Sequence, residues 1–330
     1  MRDVAALAKV SIKTVSRVVN GESGVSSRLA RQVVAAAERL NYRHNMPASS
    51  LRRSDGRSAT IGVVLEDVAN PFSSMLHRSI EDVAAERGVL VLAASSDEDA
   101  NRERQLVSAF ASRRVDGLII VPAGHDHSYL LSERRAGTAI VFVDRPPAFL
   151  DADTVLTDNE AGVRRGVRHL ISQGHRRIGY LGDLQTIATA AMRYQGYLAE
   201  LAANGLEVDE KIVQLDRRGI ENAEAATIAM MSSRRPPTAL FTGQNLLTIG
   251  AFRGLRKLEL HNRVALVGFD DILLADLLQP GITVIAQDPA AIGRAAAEVL
   301  FRRLDGDLSP SAHHVVPTRL IPRGSGEIRP

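Results

Sequence analysis

Residues 3–21 read DVAALAKVSIKTVSRVVNG and residues 25–43 read VSSRLARQVVAAAERLNYR. Together they predict a short helix, a tight turn, a second helix beginning near Ser11, and a third helix. The second helix carries Lys13, Thr14, Ser16, Arg17 and Asn20, side chains able to reach phosphates and base edges. Its Val15, Val18 and Val19 recur at helical spacing and can pack against Val4, Ala5 and Ala8. A helix-turn-helix has this pattern when its second helix must lie in a major groove. The stretch therefore predicts a head that reads double-stranded DNA.

Charge points the same way. Eleven Lys and Arg against four Asp and Glu give the first 58 residues +7, whereas the whole chain carries +3, which leaves about −4 for the remainder. A basic head on a mildly acidic body suits counterion release on a polyanion. The bland reading of such a charge run is a solvated face; the hydroxyls set in helical register between the charges favour DNA.

Between head and body lie Met46-Pro47-Ala48-Ser49-Ser50-Leu51-Arg52-Arg53 and the polar run 54–58, which reads as a linker. Pro47–Arg53 is too short to hold a helix alone. Two readings stand: a segment that orders on DNA, with Leu51 entering the minor groove, or a plain tether.

From Ala59 onward, short apolar strands alternate with amphipathic helices. Strands are predicted at 61–65, 89–95, 117–121 and 139–144. A second series follows Asp151, at 155–158, 177–182, 212–216, 238–243, 264–270, 283–287 and a last run 315–321. Alternation of this kind predicts α/β architecture with doubly wound parallel sheets, and two series predict two of them. A length of 330 residues is ample for a head and two such lobes. The expected division is 1–44 for the head, 45–58 for hinge and linker, and 59–330 for the core. Lobe one is expected at about 59–156 plus 287–321, and lobe two at about 157–286.

Ligands of doubly wound sheets bind beyond the carboxyl ends of the strands. Standing there are Asn70 to Ser73, Asp144-Arg145, Asp158, Gln244-Asn245, Asp270-Asp271 and Gln287, with Arg193 in the helix after RIGYLG. Carboxylates, amides and a guanidinium can fix the hydroxyls of a polar ligand, with Phe72 as an apolar face. Taken singly, each of these could equally be a helix cap or turn residue.

The chain has no cysteine, so disulfides and thiolate metal sites are excluded. The P-loop, H-E-x-x-H and G-x-S-x-G patterns do not occur, and no nucleophile–base pair suggests itself. His125/His127 and His313/His314 are spaced for metal but lack supporting ligands, so neither metal nor cofactor is expected. No apolar run approaches a membrane span, and no signal-peptide region precedes the helices. The expectation is a cytoplasmic protein that is not an enzyme.

Several stretches then resemble the lactose-repressor (LacI/GalR) family of bacterial transcription regulators. They are the two head segments, VANPF (68–72), RVDGLII (114–120), FVDR (142–145), Asp158-Asn159, HLISQGHRRIGYLG (169–182), the R-x-x-G-Y of Arg193–Tyr197, VALVGFDD (264–271) and PTRLIPRGS (317–325). The resemblance spans nearly the whole chain. It implies a helix-turn-helix head, a hinge helix, and a two-lobed core like the periplasmic sugar-binding proteins. It also implies a homodimer on a pseudo-palindromic operator and a small effector, a sugar or nucleoside-like metabolite.

Residue by residue, the resemblance makes Ile12 and Lys13 the main base readers, joined by Arg17 one turn later. Ser11, Thr14, Ser16 and Asn20 become phosphate or groove contacts, and Leu51 the minor-groove wedge. The effector pocket would be lined by Phe72, Ser73, Asp144, Thr189, Arg193, Gln244, Asp270 and Gln287. Five positions depart from the family pattern. Lys9 stands where the turn usually has glycine, Pro47 and Ser49 are unusual for the hinge, and Gln244-Asn245 replaces an Asn-Asp pair. The tail lacks leucine heptads, which favours a dimer over a tetramer. The expected function is an effector-switched, sequence-specific transcriptional regulator, a repressor. The competing reading is a sugar-binding or sugar-processing α/β protein without a DNA role.

Overall fold

The computed structural model describes residues 1–19, 23–42 and 57–330. The chain divides into two compact units, Met1–Ala59 and Thr60–Pro330. Asn20, Leu51 and residues 45–56 of the expected hinge lie outside the described residues.

In the first unit, α1 (Arg2–Leu7), α2 (Ile12–Val19) and α3 (Ser27–Arg39) close around Val4, Ala5, Ala8, Val15, Val33 and Ala36, all buried. Val18 and Val19 pack partly buried against them, as the helical spacing predicts. Ser11 Oγ accepts the Thr14 N–H at 3.1 Å and Ser26 Oγ the Leu29 N–H at 3.4 Å. Each bond satisfies a donor that the first helical turn leaves without an intrahelical partner. Lys9 holds the turn between α1 and α2 at φ 51°, the left-handed region in which glycine is at ease and a residue with a Cβ carries roughly 1 kcal/mol of strain.

The second unit runs β1 (Thr60–Leu65), α4 (Pro71–Glu86), β2 (Leu90–Ser95), α5 (Ala100–Ser112), β3 (Gly117–Ile120), α6 (Leu131–Arg135), β4 (Ala139–Val143) and β5 (Asp153–Thr157). It continues through α7 (Asn159–Ser172), β6 (Ile178–Leu181), α8 (Ala188–Ala203), β7 (Val213–Gln214), α9 (Ile220–Met231), β8 (Ala239–Thr242), α10 (Asn245–Lys257), β9 (Ala265–Phe269) and β10 (Thr283–Ala286). It ends with α11 (Pro289–Leu304), β11 (His313–Val316) and β12 (Arg319–Ile321).

The strands form two six-stranded sheets, in the orders β11-β5-β4-β3-β1-β2 and β12-β10-β9-β8-β6-β7. Without its last strand, each sheet has the same order, so the lobes repeat one topology. The strand order reverses between β1 and β3 in one lobe and between β6 and β8 in the other. The central strands of both sheets are buried on both faces, which explains their unbroken apolar runs. In β3, for example, Leu118 and Ile120 join Phe110 and Phe142 on one face, while Ile119 joins Leu76, Ile80 and Leu300 on the other.

The last expected strand is corrected. The run 315–321 was expected as one strand of lobe one. Pro317 has no N–H to donate and restricts the residue before it, so the ladder stops at Val316. β11 pairs parallel with β5 in the first sheet, whereas β12 pairs antiparallel with β10 in the second. Residues 319–321 therefore belong to the second lobe, whose sheet is parallel except for this edge strand. The chain thus passes between the lobes three times, near residues 158, 287 and 317. Two of these passages are tied together: the Thr318 N–H donates to Asp158 Oδ1 at 2.6 Å, and Arg165 donates to both Asp158 Oδ2 and the Thr318 carbonyl. Asp158, expected beside the cleft, serves this joint instead. Among the described residues, no helix is long and apolar enough to cross a membrane.

Candidate functional site

A cleft lies where the two reversals of strand order face each other, lined from both lobes. The first lobe contributes Glu66 past β1, Asn70 and Phe72 at the start of α4, Val121 past β3, and Asp144 and Arg145 past β4. The second contributes Asp183 past β6, Ile187, Thr189, Ala190 and Arg193 around the start of α8, Gln244 before α10, Asp270 past β9 and Gln287 past β10. Seven of the eight residues assigned to an effector pocket line this cleft. The eighth, Ser73, is fully buried in α4 and is not among the lining residues; its Oγ has no hydrogen-bond partner.

Asp144 and Asp270 hold equivalent places. Each follows the fourth strand of its lobe in the left-handed region, at φ 67° and 69°. Each donates its N–H to the neighbouring strand, Asp144 to the Val155 carbonyl at 3.0 Å and Asp270 to the Ile285 carbonyl at 2.9 Å. Asp is among the residues best able to adopt this conformation, and strained backbone of this kind clusters at ligand sites. The repeated topology thus brings one carboxylate from each lobe to the cleft.

Each carboxylate has a guanidinium near it. In the second lobe, Arg193 donates through Nε to Asn159 Oδ1 at 2.7 Å and through a terminal nitrogen to the Gly243 carbonyl at 2.9 Å. It lies 4.0 Å above the Phe269 ring and 3.9 Å from Asp270. Asp270 accepts the Gln287 amide N–H at 2.6 Å. In the first lobe, Arg145 donates both terminal nitrogens to Glu98 at 2.6 Å and one of them to the Pro122 carbonyl at 2.9 Å, while its Nε lies 3.3 Å from Asp144. A bidentate pair of this kind fixes the guanidinium plane. Burial alone would raise the Glu98 carboxyl, but the hydrogen bonds and charge of Arg145 outweigh it and hold Glu98 below its ordinary value. Glu66, with Arg145 only 3.6 Å away, is driven the other way. Burial pushes it up to about 8 against the pull of Arg145, with Glu98 and Asp144 adding to the rise. Burial likewise raises Asp144 and Asp183.

Some readings of these residues as helix caps hold together with the ligand reading. Asn70 caps α4 through the Phe72 N–H, and Gln244 caps α10 through the Leu246 N–H, yet both line the cleft. Asp271 does not line it; the side chain bonds the Ile272 N–H and pairs with Arg323. Glu66, Asp183 and Glu98 were missed. The first two directly follow predicted strands and could have been found by the strand-end rule. Glu98 lies in the loop after β2, where no sequence signal marks it.

On the head, Ser11, Ile12 and Lys13 are exposed at the start of α2, and Thr14, Ser16 and Arg17 are partly exposed. Ile12 leaves 48% of its surface open although Val15, three residues on, is fully buried. An exposed apolar side chain beside a lysine suits a surface that touches base edges and thymine methyl groups.

Residues 1–45 match the model of bacterial regulatory proteins, lacI family, and residues 167–326 match that of the periplasmic binding protein-like domain. The HTH-type transcriptional regulator PtxS of Pseudomonas aeruginosa is 33% identical, over 98% of this chain and 95% of its own. The HTH-type transcriptional repressor CytR of Escherichia coli K12 is 29% identical, over 100% of this chain and 97% of its own. Among solved structures, the lac repressor dimer bound to operator and an anti-inducer superposes with a TM-score of 0.85 at 26% identity, covering 98% of both chains. With a relative this similar along almost its full length, the chain belongs to the lacI family of bacterial regulatory proteins, transcription regulators built from a DNA-binding helix-turn-helix and an effector-binding core.

Proposed function

We propose that a small polar metabolite, a sugar or nucleoside-like compound, binds in the cleft lined by Phe72, Asp144, Thr189, Arg193, Gln244, Asp270 and Gln287 and switches the affinity of the head for its operator. The observation that carries this reading is the pairing of Asp144 from one lobe with Asp270 and Arg193 from the other around one free space. A ligand touching both lobes favours one arrangement of them. It can change DNA affinity only by the difference in its affinity for the two arrangements. Ser11, Ile12, Lys13, Thr14, Ser16 and Arg17 form the DNA-facing surface of the head, with Ile12, Lys13 and Arg17 as base readers. The protein acts in the cytoplasm as a homodimer, as the lac repressor does on its operator, and reads a pseudo-palindrome because protein symmetry is mirrored in the half-sites.

The test begins with a thermal-shift screen of sugars and nucleosides, since a ligand of the native state raises its apparent stability. Operator affinity is then titrated with and without the compound found. Arg193→Ala and Asp270→Ala should bind operator normally and no longer respond. Variants that respond with normal ligand affinity would place the effector elsewhere.

A further inference from the structure

Residues 122–125 and 145–148 of the first lobe face Leu184 and Ile187 of the second across an outer chamber. The chamber shares Arg145 and Ile187 with the effector cleft, so its first-lobe wall is also the wall of the cleft's mouth. Three of the wall residues, Pro122, Pro146 and Pro147, have no N–H with which to tie the backbone down. Two N–H groups beside them are held from behind by buried side chains. The Ala123 N–H donates to Glu103 Oε2 at 2.5 Å, and the Ala148 N–H donates to His127 Nδ1 at 3.0 Å.

His127 is fully buried, and Glu103 is 1% exposed. Because Nδ1 accepts, the neutral ring carries its proton on Nε2. Nε2 lies 3.5 Å from Glu103 Oε1 and has no hydrogen-bond partner. Glu103 is fixed in turn by the Ala123 N–H and by the Tyr129 hydroxyl, which donates to Oε1 at 2.8 Å. The Phe142 ring meets the imidazole edge-on at 5.4 Å. The other charged or titratable groups facing this cluster are Arg104 on α5, above the Tyr129 ring, and His125 and Asp126 in the preceding loop. β4 and residues 146–150 bring none.

A second proton changes this joint. It enters at Nδ1, and the imidazolium then points an N–H at the Ala148 N–H. The Ala148 carbonyl is already taken by the His127 N–H at 3.0 Å. Glu103 attracts the charged ring and keeps it in place, so Ala148 is the side that yields. Resting on the assignment of this cleft as the effector site, we propose that neutral His127 is a positioning residue for effector binding. Through Ala148 it holds the segment that carries Arg145 against the cleft, and its protonation releases that segment and weakens effector affinity. Burial lowers the pKa of His127, so the release belongs to the acid side of neutrality.

The test compares the full chain with two variants between pH 7.5 and 5. In His127→Asn, Oδ1 stands in for Nδ1 as the acceptor and does not titrate. His127→Phe keeps a ring and removes the acceptor. The first readout is exchange of the Ala148 amide relative to the Ile120 amide in β3, corrected for the pH dependence of intrinsic exchange. In the wild type the relative protection of Ala148 should fall at least fivefold from pH 7.5 to 5. It should stay level in His127→Asn and be low at both pH values in His127→Phe. This measurement needs no ligand and decides on its own whether the tie opens. The second readout is calorimetric titration with D-glucose, D-ribose and adenosine, none of which titrates in this range. A compound that binds at pH 7.5 should bind at least fivefold more weakly at pH 5, and His127→Asn should lose most of that dependence. Protection of Ala148 that ignores pH, or that changes equally in His127→Asn, overturns the proposal. So does an affinity that holds at pH 5 while Ala148 opens, or that varies with pH equally in the wild type and His127→Asn. A compound that follows the expected pH profile without shifting operator affinity supports the positioning role and removes the effector reading.

Discussion

Asn245, at the start of α10 in the second lobe, donates its side-chain amide to Asn70 Oδ1, at the start of α4 in the first, at 2.8 Å; both are buried. Asn70 in turn donates to Glu66 Oε1 at 2.8 Å and accepts the Phe72 N–H at 3.1 Å. A neutral amide pair therefore latches the lobes at the edge of the cleft. An ionised Asp at position 245 could accept but not donate. Removing the latch with Asn245→Ala should cost about 1 kcal/mol, the net worth of one buried hydrogen bond. The melting temperature should then drop by roughly 2–4 °C. Amide exchange at Phe72 and Leu246 should quicken. Unchanged exchange there would mean that the lobes are held without the pair.

At the head, Arg17→Ala or Lys13→Ala should each weaken operator binding by about 1–3 kcal/mol if the side chains make good base contacts. Binding to random DNA should fall far less. Gel-shift titration on both DNAs decides the matter, because equal losses would mean that these residues only neutralise phosphate.

Lys9, at φ 51°, gives a prediction of opposite sign. Lys9→Gly removes the Cβ from a left-handed position and should stabilise the head by up to about 1 kcal/mol, read as slower amide exchange in α1 and α2. If the lysine also touches phosphate, the same variant should bind random DNA more weakly. A destabilised head would show that the strain is already relieved in its surroundings.

The sequence was most readable where one residue type has one job. Val15 had to be buried and Lys13 exposed for α2 to face a groove, and both are. The apolar strands disclosed the two lobes because both faces of each sheet are covered. Seven of the eight expected pocket residues meet in one cleft because the strand-end rule follows from topology. What it could not disclose depends on neighbours distant in sequence. Glu98 joins the site through Arg145, 47 residues away, and Asn70 meets Asn245 across 175 residues. The split at Pro317 was legible in principle. A proline inside an apolar run signals a break, yet its neighbours on both sides favour strand.

Glu66 makes the stability of the core depend on pH. Its carboxyl is pushed from 4.5 up to about 8 by burial, offset in part by Arg145 and reinforced by Glu98 and Asp144, with Asn70 donating to it. In the unfolded chain the same group ionises near its ordinary value, so between about pH 4.5 and 8 the folded state holds a proton that the unfolded state has released. Stability must then fall as pH rises through that window. The rise from 4.5 to about 8 corresponds to a loss on the order of 5 kcal/mol by pH 8. The buried His127 acts oppositely. Burial lowers its pKa despite the attraction of Glu103, so its share of stability is lost as pH drops below 6.5. Glu66→Gln keeps the shape and cannot ionise. It should leave stability near pH 5 almost unchanged, raise it at pH 8, and flatten the slope between. Urea unfolding of wild type and variant at pH 5, 6.5 and 8 measures this directly. Parallel pH profiles for the two proteins would show that Glu66 is not the group responsible.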